Sequence, residues 1–178
     1  TVKDVTLDDF VITANPVAYT GRLVKPTINF VYKELGTAVD VKLGTAYTVK
    51  YRNNKEVASI ADTNAPTVTI TEKGLNKEGA KKKQVLLPFT IATGRITVAN
   101  VKNIKVQTYK GRPVKPVLNI NVNGRRLVAG KDYIVNYAGN TQPNEKALAY
   151  IVGIGNYSGA VLKEFVILEK RKRKTKYL

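Results

Sequence analysis

The chain of 178 residues contains no cysteine, no histidine, no methionine and no tryptophan. Without cysteine it forms no disulfides and has no thiolate nucleophile, although this does not fix its compartment. Without histidine and cysteine, zinc and copper sites are disfavoured, and Ser-His-Asp and Cys-His catalysis are excluded. Because no paired-carboxylate motif is present either, we expect no enzyme activity and no catalytic, metal-binding or cofactor-binding residues.

The lack of methionine extends to the first position, which is Thr1. Since translation begins with methionine, we expect a processed product or an excised piece of a longer protein, which could have lost a signal peptide or an anchor at either end. No apolar run approaches the roughly 18 residues needed to span a bilayer, so no membrane span is predicted. The hydrophobic content of 43% is sufficient for a packed core.

Acidic residues are scarce, and the net charge of +17 is unevenly distributed. Residues 1–92 hold 13 Lys and Arg against 9 Asp and Glu, whereas residues 93–178 hold 17 against 4. The basic half is expected to attract polyanions, the alternative being a solubilising surface with a disordered tail. Nucleic acid is not favoured as the partner. The candidate anion-binding residues are Arg125, Arg126, Lys170, Arg171, Lys172, Arg173 and Lys174.

The chain contains segments that match each other in the same order. Residues 19–26 match residues 109–116 with six of eight positions identical, and residues 44–51 match residues 130–137. The offset falls from 90 to 86 between these matches. A falling offset indicates insertions in the first copy, which we expect to form loops.

The local pattern within the matched segments is that of β-strands. In residues 47–51, Tyr, Val and Tyr alternate with Thr and Lys, and residues 133–137 repeat this alternation. Such period-2 runs predict half-buried strands. Asn123-Gly124 predicts a hairpin turn, because both residues tolerate positive φ. The fold class predicted is all-β, with domains at 1–92 and 93–168, a linker at Thr93-Gly94 and a basic tail at 169–178.

The second copy also carries a characteristic series of motifs: Tyr109, Gly111, Pro116, Asp132-Tyr133, Tyr137 and the glycine-rich turn at residues 153–159. This series resembles the MBG/YDG-type immunoglobulin-like repeats of clostridial and gut-bacterial surface proteins. The first copy departs from it at Ala46, where Asp is typical, and at residues 72–76, which replace the glycine-rich turn. The resemblance implies two tandem immunoglobulin-like β-sandwich domains.

The resemblance further implies a non-catalytic, extracellular structural or adhesion module at the surface of a bacterium. The partners expected are anionic cell-wall or host polymers, or neighbouring domains of the same parent protein. Two alternatives stay open: a decoration or fibre domain of a bacteriophage particle, and a carbohydrate-binding accessory domain of a larger secreted hydrolase. The absence of tryptophan weakens the last alternative, whereas an exposed row of tyrosines on one sheet would favour it.

Overall fold

The computed structural model describes residues 5–41, 43–73 and 82–170, and nearly all regular structure in them is β-strand. Helix in these ranges is confined to two single 3-10 turns, Leu7–Asp9 and Val98–Asn100, so no described helix could cross a bilayer. The all-β prediction is therefore confirmed. The chain divides into two compact units between Thr93 and Gly94.

Unit 1 contains eight strands in its described residues. They are β1 (Phe10–Ala14), β2 (Val17–Ala18), β3 (Ile28–Tyr32), β4 (Thr37–Val39), β5 (Tyr47–Arg52), β6 (Thr67–Glu72), β7 (Gln84–Pro88) and β8 (Ile91–Ala92). One antiparallel sheet has the order β1-β3-β4 and a second has the order β5-β6-β7, while β2 pairs with β8 in parallel. Both sheets contribute to one core, in which Phe10 and Phe30 of the first sheet cluster with Tyr47, Val68 and Ile70 of the second.

Unit 2 also contains eight strands in its described residues. They are β9 (Gly94–Arg95), β10 (Gln107–Thr108), β11 (Asn121–Val122), β12 (Arg125–Arg126), β13 (Tyr133–Ala138), β14 (Asn144–Gly153), β15 (Tyr157–Ser158) and β16 (Ala160–Leu168). The main sheet has the order β10-β16-β14-β13, and its inward face buries Ala147, Ala149, Phe165 and Ile167. The β11–β12 hairpin turns at Asn123 and Gly124, with φ of 50° and 78°, as their sequence predicts.

Gly94, which the sequence predicts to lie in a short linker with Thr93, is the first residue of unit 2. It begins β9, which pairs in parallel with Tyr157–Ser158 of β15. A side chain at this position would meet the ring of Tyr157, because a Cβ on Gly94 would lie 2.9 Å from two of its carbon atoms. The glycine therefore allows the close approach of the Tyr157 ring to the backbone of β9.

Several contacts recur in the two units at the positions that match in sequence. The amide of Gly44 donates to the carbonyl of Tyr47, and that of Gly130 donates to Tyr133, both at 2.8 Å. Each unit also has a buried asparagine whose main-chain carbonyl accepts an N–H at 2.8 Å. Val24 donates to Asn54 in unit 1, and Val114 donates to Asn140 in unit 2. The parallel pairing of β2 with β8 is matched by that of β10 with β16.

The side chain of each buried asparagine donates a second hydrogen bond to the same valine. We therefore expect substitution of either asparagine to lower the stability of its unit by a similar amount. Asn54 Nδ2 donates to the Val24 carbonyl at 2.7 Å, and Asn140 Nδ2 donates to the Val114 carbonyl at 2.9 Å. We expect Asn54→Ala and Asn140→Ala each to lower the free energy of unfolding by about 1–3 kcal/mol, because a carbonyl loses its donor. Urea unfolding measures this, with Asn136→Ala, at an exposed position of β13, as a control within about 0.5 kcal/mol. A cost no larger than that of the control would contradict the prediction.

Candidate anionic-polymer interface

The predicted pair Arg125 and Arg126 lies on strand β12, directly after the hairpin turn. Arg125 Nη2 is 3.8 Å from Oδ1 of the buried Asp132, whose other oxygen accepts the Val128 N–H at 2.9 Å. Part of the charge of Arg125 is therefore balanced inside unit 2. Arg126 is exposed and opposes Asn121 across the hairpin. The pair thus offers one exposed guanidinium rather than two.

Burial raises the pKa of the nearby Tyr133 phenol, with Arg126 opposing the shift and Asp132 adding to it. The ring of Tyr133 is buried, so this tyrosine belongs to the core and not to an external surface. The same holds in part for Tyr137, whose hydroxyl donates to the Pro116 carbonyl at 2.8 Å and whose ring meets Phe165 edge-on. Neither tyrosine contributes to an exposed aromatic row.

Of the five predicted tail residues, the structure describes one. Lys170 is exposed just beyond the end of β16. Arg171, Lys172, Arg173 and Lys174 lie outside the described residues. Lys170 and its neighbours are therefore the part of the predicted tail site that can be described.

Lys170 lines an open cleft of about 540 Å³ together with Tyr109, Lys110 and Pro143. A second cleft of about 480 Å³ shares Lys110 with the first and is also lined by Arg112 and Lys115. Three basic side chains from one loop therefore stand with the predicted Lys170 around adjoining clefts. We refer to Lys110, Arg112, Lys115 and Lys170 as the cationic cluster.

The loop that carries the cluster is held at both ends. Strand β10 pairs in parallel with the end of β16, and the Tyr109 N–H donates to the Leu168 carbonyl at 2.8 Å. This pairing brings the chain after Thr108 beside the chain after Leu168. Gly111, at a φ of 77°, turns the loop, and the two hydrogen bonds between Val114 and Asn140 fix its far end.

All four cations of the cluster are exposed, and none has an ion-pair partner among the described residues. Glu169 also lines the first cleft and offsets part of its charge. Lysine supplies a compact point charge, whereas the planar guanidinium of Arg112 can hold a carboxylate or phosphate through two parallel bonds. Several cations around open clefts suit an extended anion better than an enclosed small molecule.

Sequence reasoning missed three of these four residues, because residues 109–116 stand out first as a repeat marker. A signal was nevertheless present. The first copy has Thr20 where the second has Lys110, and the additional lysine gives the second copy three cations within six residues.

Comparison of the chain with protein-family models, with curated proteins and with solved structures found no match. The class of protein is thus defined by the fold alone. It is an all-β protein of two compact units, each with a sheet whose inward face is buried in an apolar core.

Proposed function

We propose that the chain is a non-catalytic, extracellular structural and adhesion module of a bacterial surface protein. In this proposal it consists of two tandem immunoglobulin-like β-sandwich domains and contacts anionic polymers through the cationic cluster of the second domain. In this proposal the second domain carries the charge that holds the polymer.

Two observations support the immunoglobulin-like architecture. In unit 1, two antiparallel sheets share one core, which is the arrangement of a β-sandwich. In both units, the same hydrogen bonds and the same parallel strand pairing occur at positions that match in sequence. Duplication of a sandwich domain accounts for both.

The observation that carries the binding proposal is the placement of four exposed cations around adjoining clefts in the more basic half of the chain. At physiological ionic strength the Debye length is about 8 Å, so isolated surface lysines attract a polyanion weakly and clusters dominate. A loop that is held at both ends loses little conformational freedom on binding, which favours affinity.

The proposal is tested by retention of the purified chain on immobilised teichoic acid, heparin and DNA at several salt concentrations. We expect the variant with all four cluster residues changed to Gln to bind at least tenfold more weakly at low salt. Its slope of log affinity against log salt should be smaller by about 2–4, since each lost contact removes about 0.7–0.9. Teichoic acid and heparin should be retained more strongly than DNA.

A charge-matched control separates the cluster from net charge. Lys102, Lys105, Lys131 and Lys146 are also exposed in unit 2, and changing all four to Gln removes the same charge. This control is expected to keep most of the affinity and the slope. Equal losses in both variants would refute the cluster as the site, as would full retention by the cluster variant together with loss on deletion of residues 171–178.

A further inference from the structure

The outward face of the β5-β6-β7 sheet in unit 1 forms a polar groove. Its floor contains Lys50 and Arg52 of β5, Thr69 of β6 and Leu86 of β7, and residues 53 and 63–65 form one wall. The volume is about 740 Å³, within the size range of ligand sites. We call this feature the sheet-face groove. We infer that it binds an acidic oligosaccharide, a chain of sugars bearing carboxylates.

The floor is built by strand alternation and register. Thr48, Lys50 and Arg52 are the exposed positions of β5, and the alternate positions face the core. Lys50 lies opposite Thr69, and Thr69 lies opposite Leu86, so one row across the sheet offers a cation, a hydroxyl and an apolar surface. Lys50 and Arg52 are about 7 Å apart along the strand, since alternate residues share a face.

The matching sheet of unit 2 shows that the fold does not require these residues. The positions that match Lys50 and Arg52 are Asn136 and Ala138. Asn136 lies opposite Tyr150, which in turn lies opposite Leu162, so the equivalent row in unit 2 carries no cation. The two cations are therefore a property of unit 1 and not of the shared strand arrangement.

The wall of the groove is likewise specific to unit 1. Strands β5 and β6 are joined by residues 53–66, whereas the equivalent strands β13 and β14 are joined only by residues 139–143. The insertion is ordered by its own hydrogen bonds: Asp62 Oδ2 accepts the Ser59 N–H at 2.6 Å, and the Ala65 N–H donates to the Asp62 carbonyl at 3.0 Å. Insertions of this kind commonly carry binding functions.

Asn53 ties the insertion to the sheet and acts as a positioning residue. Its φ is 53°, and unit 2 has Gly139 with a φ of 62° at the matching position. Asn53 Nδ2 donates to the Asn64 carbonyl at 3.2 Å, across the base of the insertion. Glycine would adopt this positive φ at a lower conformational cost than asparagine. The side-chain amide of Asn53 offsets that cost by holding the groove wall.

The chemistry of the lining indicates the class of ligand. Threonine hydroxyls and the amides of Asn64 and Gln84 can donate to and accept from sugar hydroxyls, and Leu86 can contact the apolar side of a sugar ring. Lys50 and Arg52 would pair with carboxylates, and no acid among the described residues lines the groove. The described lining also has no aromatic ring for stacking a base or a neutral sugar, which disfavours nucleic acid and neutral glycans.

The test uses the whole chain and oligogalacturonate in calcium-free buffer, followed by calorimetry and by amide chemical shifts. The matched probe is the methyl-esterified form, which keeps the hydroxyls and removes the charge. We expect oligogalacturonate to bind with shifts in β5, β6 and residues 53–65, and the esterified form to bind at least tenfold more weakly. No binding of oligogalacturonate, or equal binding of both probes, would overturn the inference.

Variants locate the site and separate it from the cationic cluster. Lys50→Asn with Arg52→Ala introduces the residues that unit 2 has at these positions, and we expect at least tenfold weaker binding of oligogalacturonate. Thr69→Tyr, which introduces the tyrosine of unit 2, provides a second variant and should weaken binding by filling the groove. The variant of the four cluster residues should keep the amide shift changes in β5, β6 and residues 53–65, whatever binding it loses at the cluster itself. Loss in the cluster variant with retention in the groove variants would overturn the inference without touching the proposed function.

Discussion

Replacing Gly159 by alanine is expected to lower the free energy of unfolding by about 2–5 kcal/mol. Gly159 has a φ of 92°, and a Cβ there would lie 2.5 Å from the carbonyl oxygen of Ile96. The left-handed region alone costs an L-residue about 1–2 kcal/mol. The clash adds more, because the Ile96 N–H donates to Ser158 at 2.8 Å and the Gly159 carbonyl accepts the Gly153 N–H at 2.9 Å, so neither backbone can move freely.

Gly130→Ala provides the control for Gly159→Ala. Gly130 has a φ of 80°, and a Cβ there would have no described neighbour within 4 Å, so its substitution carries the conformational cost without a clash. Urea unfolding followed by circular dichroism should show about 1–2 kcal/mol for Gly130→Ala and the larger loss for Gly159→Ala. Equal losses would mean that the contact between Gly159 and Ile96 does not constrain the protein.

The strand pattern of the large sheets could be predicted because alternation in sequence maps directly onto the pleat. In β5 and in β13, the first residue of the predicted alternation, Tyr47 or Tyr133, is buried, and the intervening residues point outward. The Asn123-Gly124 turn was predictable for a similar reason, since positive φ at two successive positions favours these residues. Both predictions depend on contacts close in sequence.

The cationic cluster depends on contacts that are distant in sequence, and for this reason it was not predicted as a unit. Lys110 and Lys170 line the same cleft because β10, only two residues long, pairs in parallel with the end of β16. No local pattern marks so short a parallel pairing. The ion pair between Arg125 and Asp132 could not be predicted for the same reason. It forms because the chain returns toward Arg125 after the hairpin.

The two units differ in the residue that ends the strand paired with β5 or β13. Tyr47 of β5 lies opposite Glu72 of β6, and Tyr133 of β13 lies opposite Gly153 of β14. Gly153 leaves space for the turn that follows, since a Cβ there would lie 2.8 Å from the Ser158 nitrogen. Unit 1, which departs from the glycine-rich turn at this point, has a buried carboxylate instead.

Glu72 is 1% exposed and satisfies two main-chain donors from different parts of unit 1. Its Oε1 accepts the Leu7 N–H at 2.6 Å, and its Oε2 accepts the Lys83 N–H at 3.2 Å. We expect Glu72→Ala to lower the free energy of unfolding by about 3–5 kcal/mol, because hydrogen bonds to a charged group contribute about 1.5–3 kcal/mol each and both donors lose their acceptor. Urea unfolding gives the value, and hydrogen exchange at Leu7 and Lys83 reports the two sites separately.

Glu72→Gln separates the two hydrogen bonds from the volume of the side chain. The amide keeps the size of glutamate but has one acceptor oxygen, so only one of the two N–H groups can remain bonded. We expect an intermediate loss of about 1–3 kcal/mol, with faster exchange at either Leu7 or Lys83 but not at both. If Glu72→Gln lowers the free energy of unfolding as much as Glu72→Ala does, the negative charge of Glu72 contributes more to stability than its shape does. If neither substitution destabilises unit 1, the 3-10 turn at Leu7–Asp9 does not depend on Glu72.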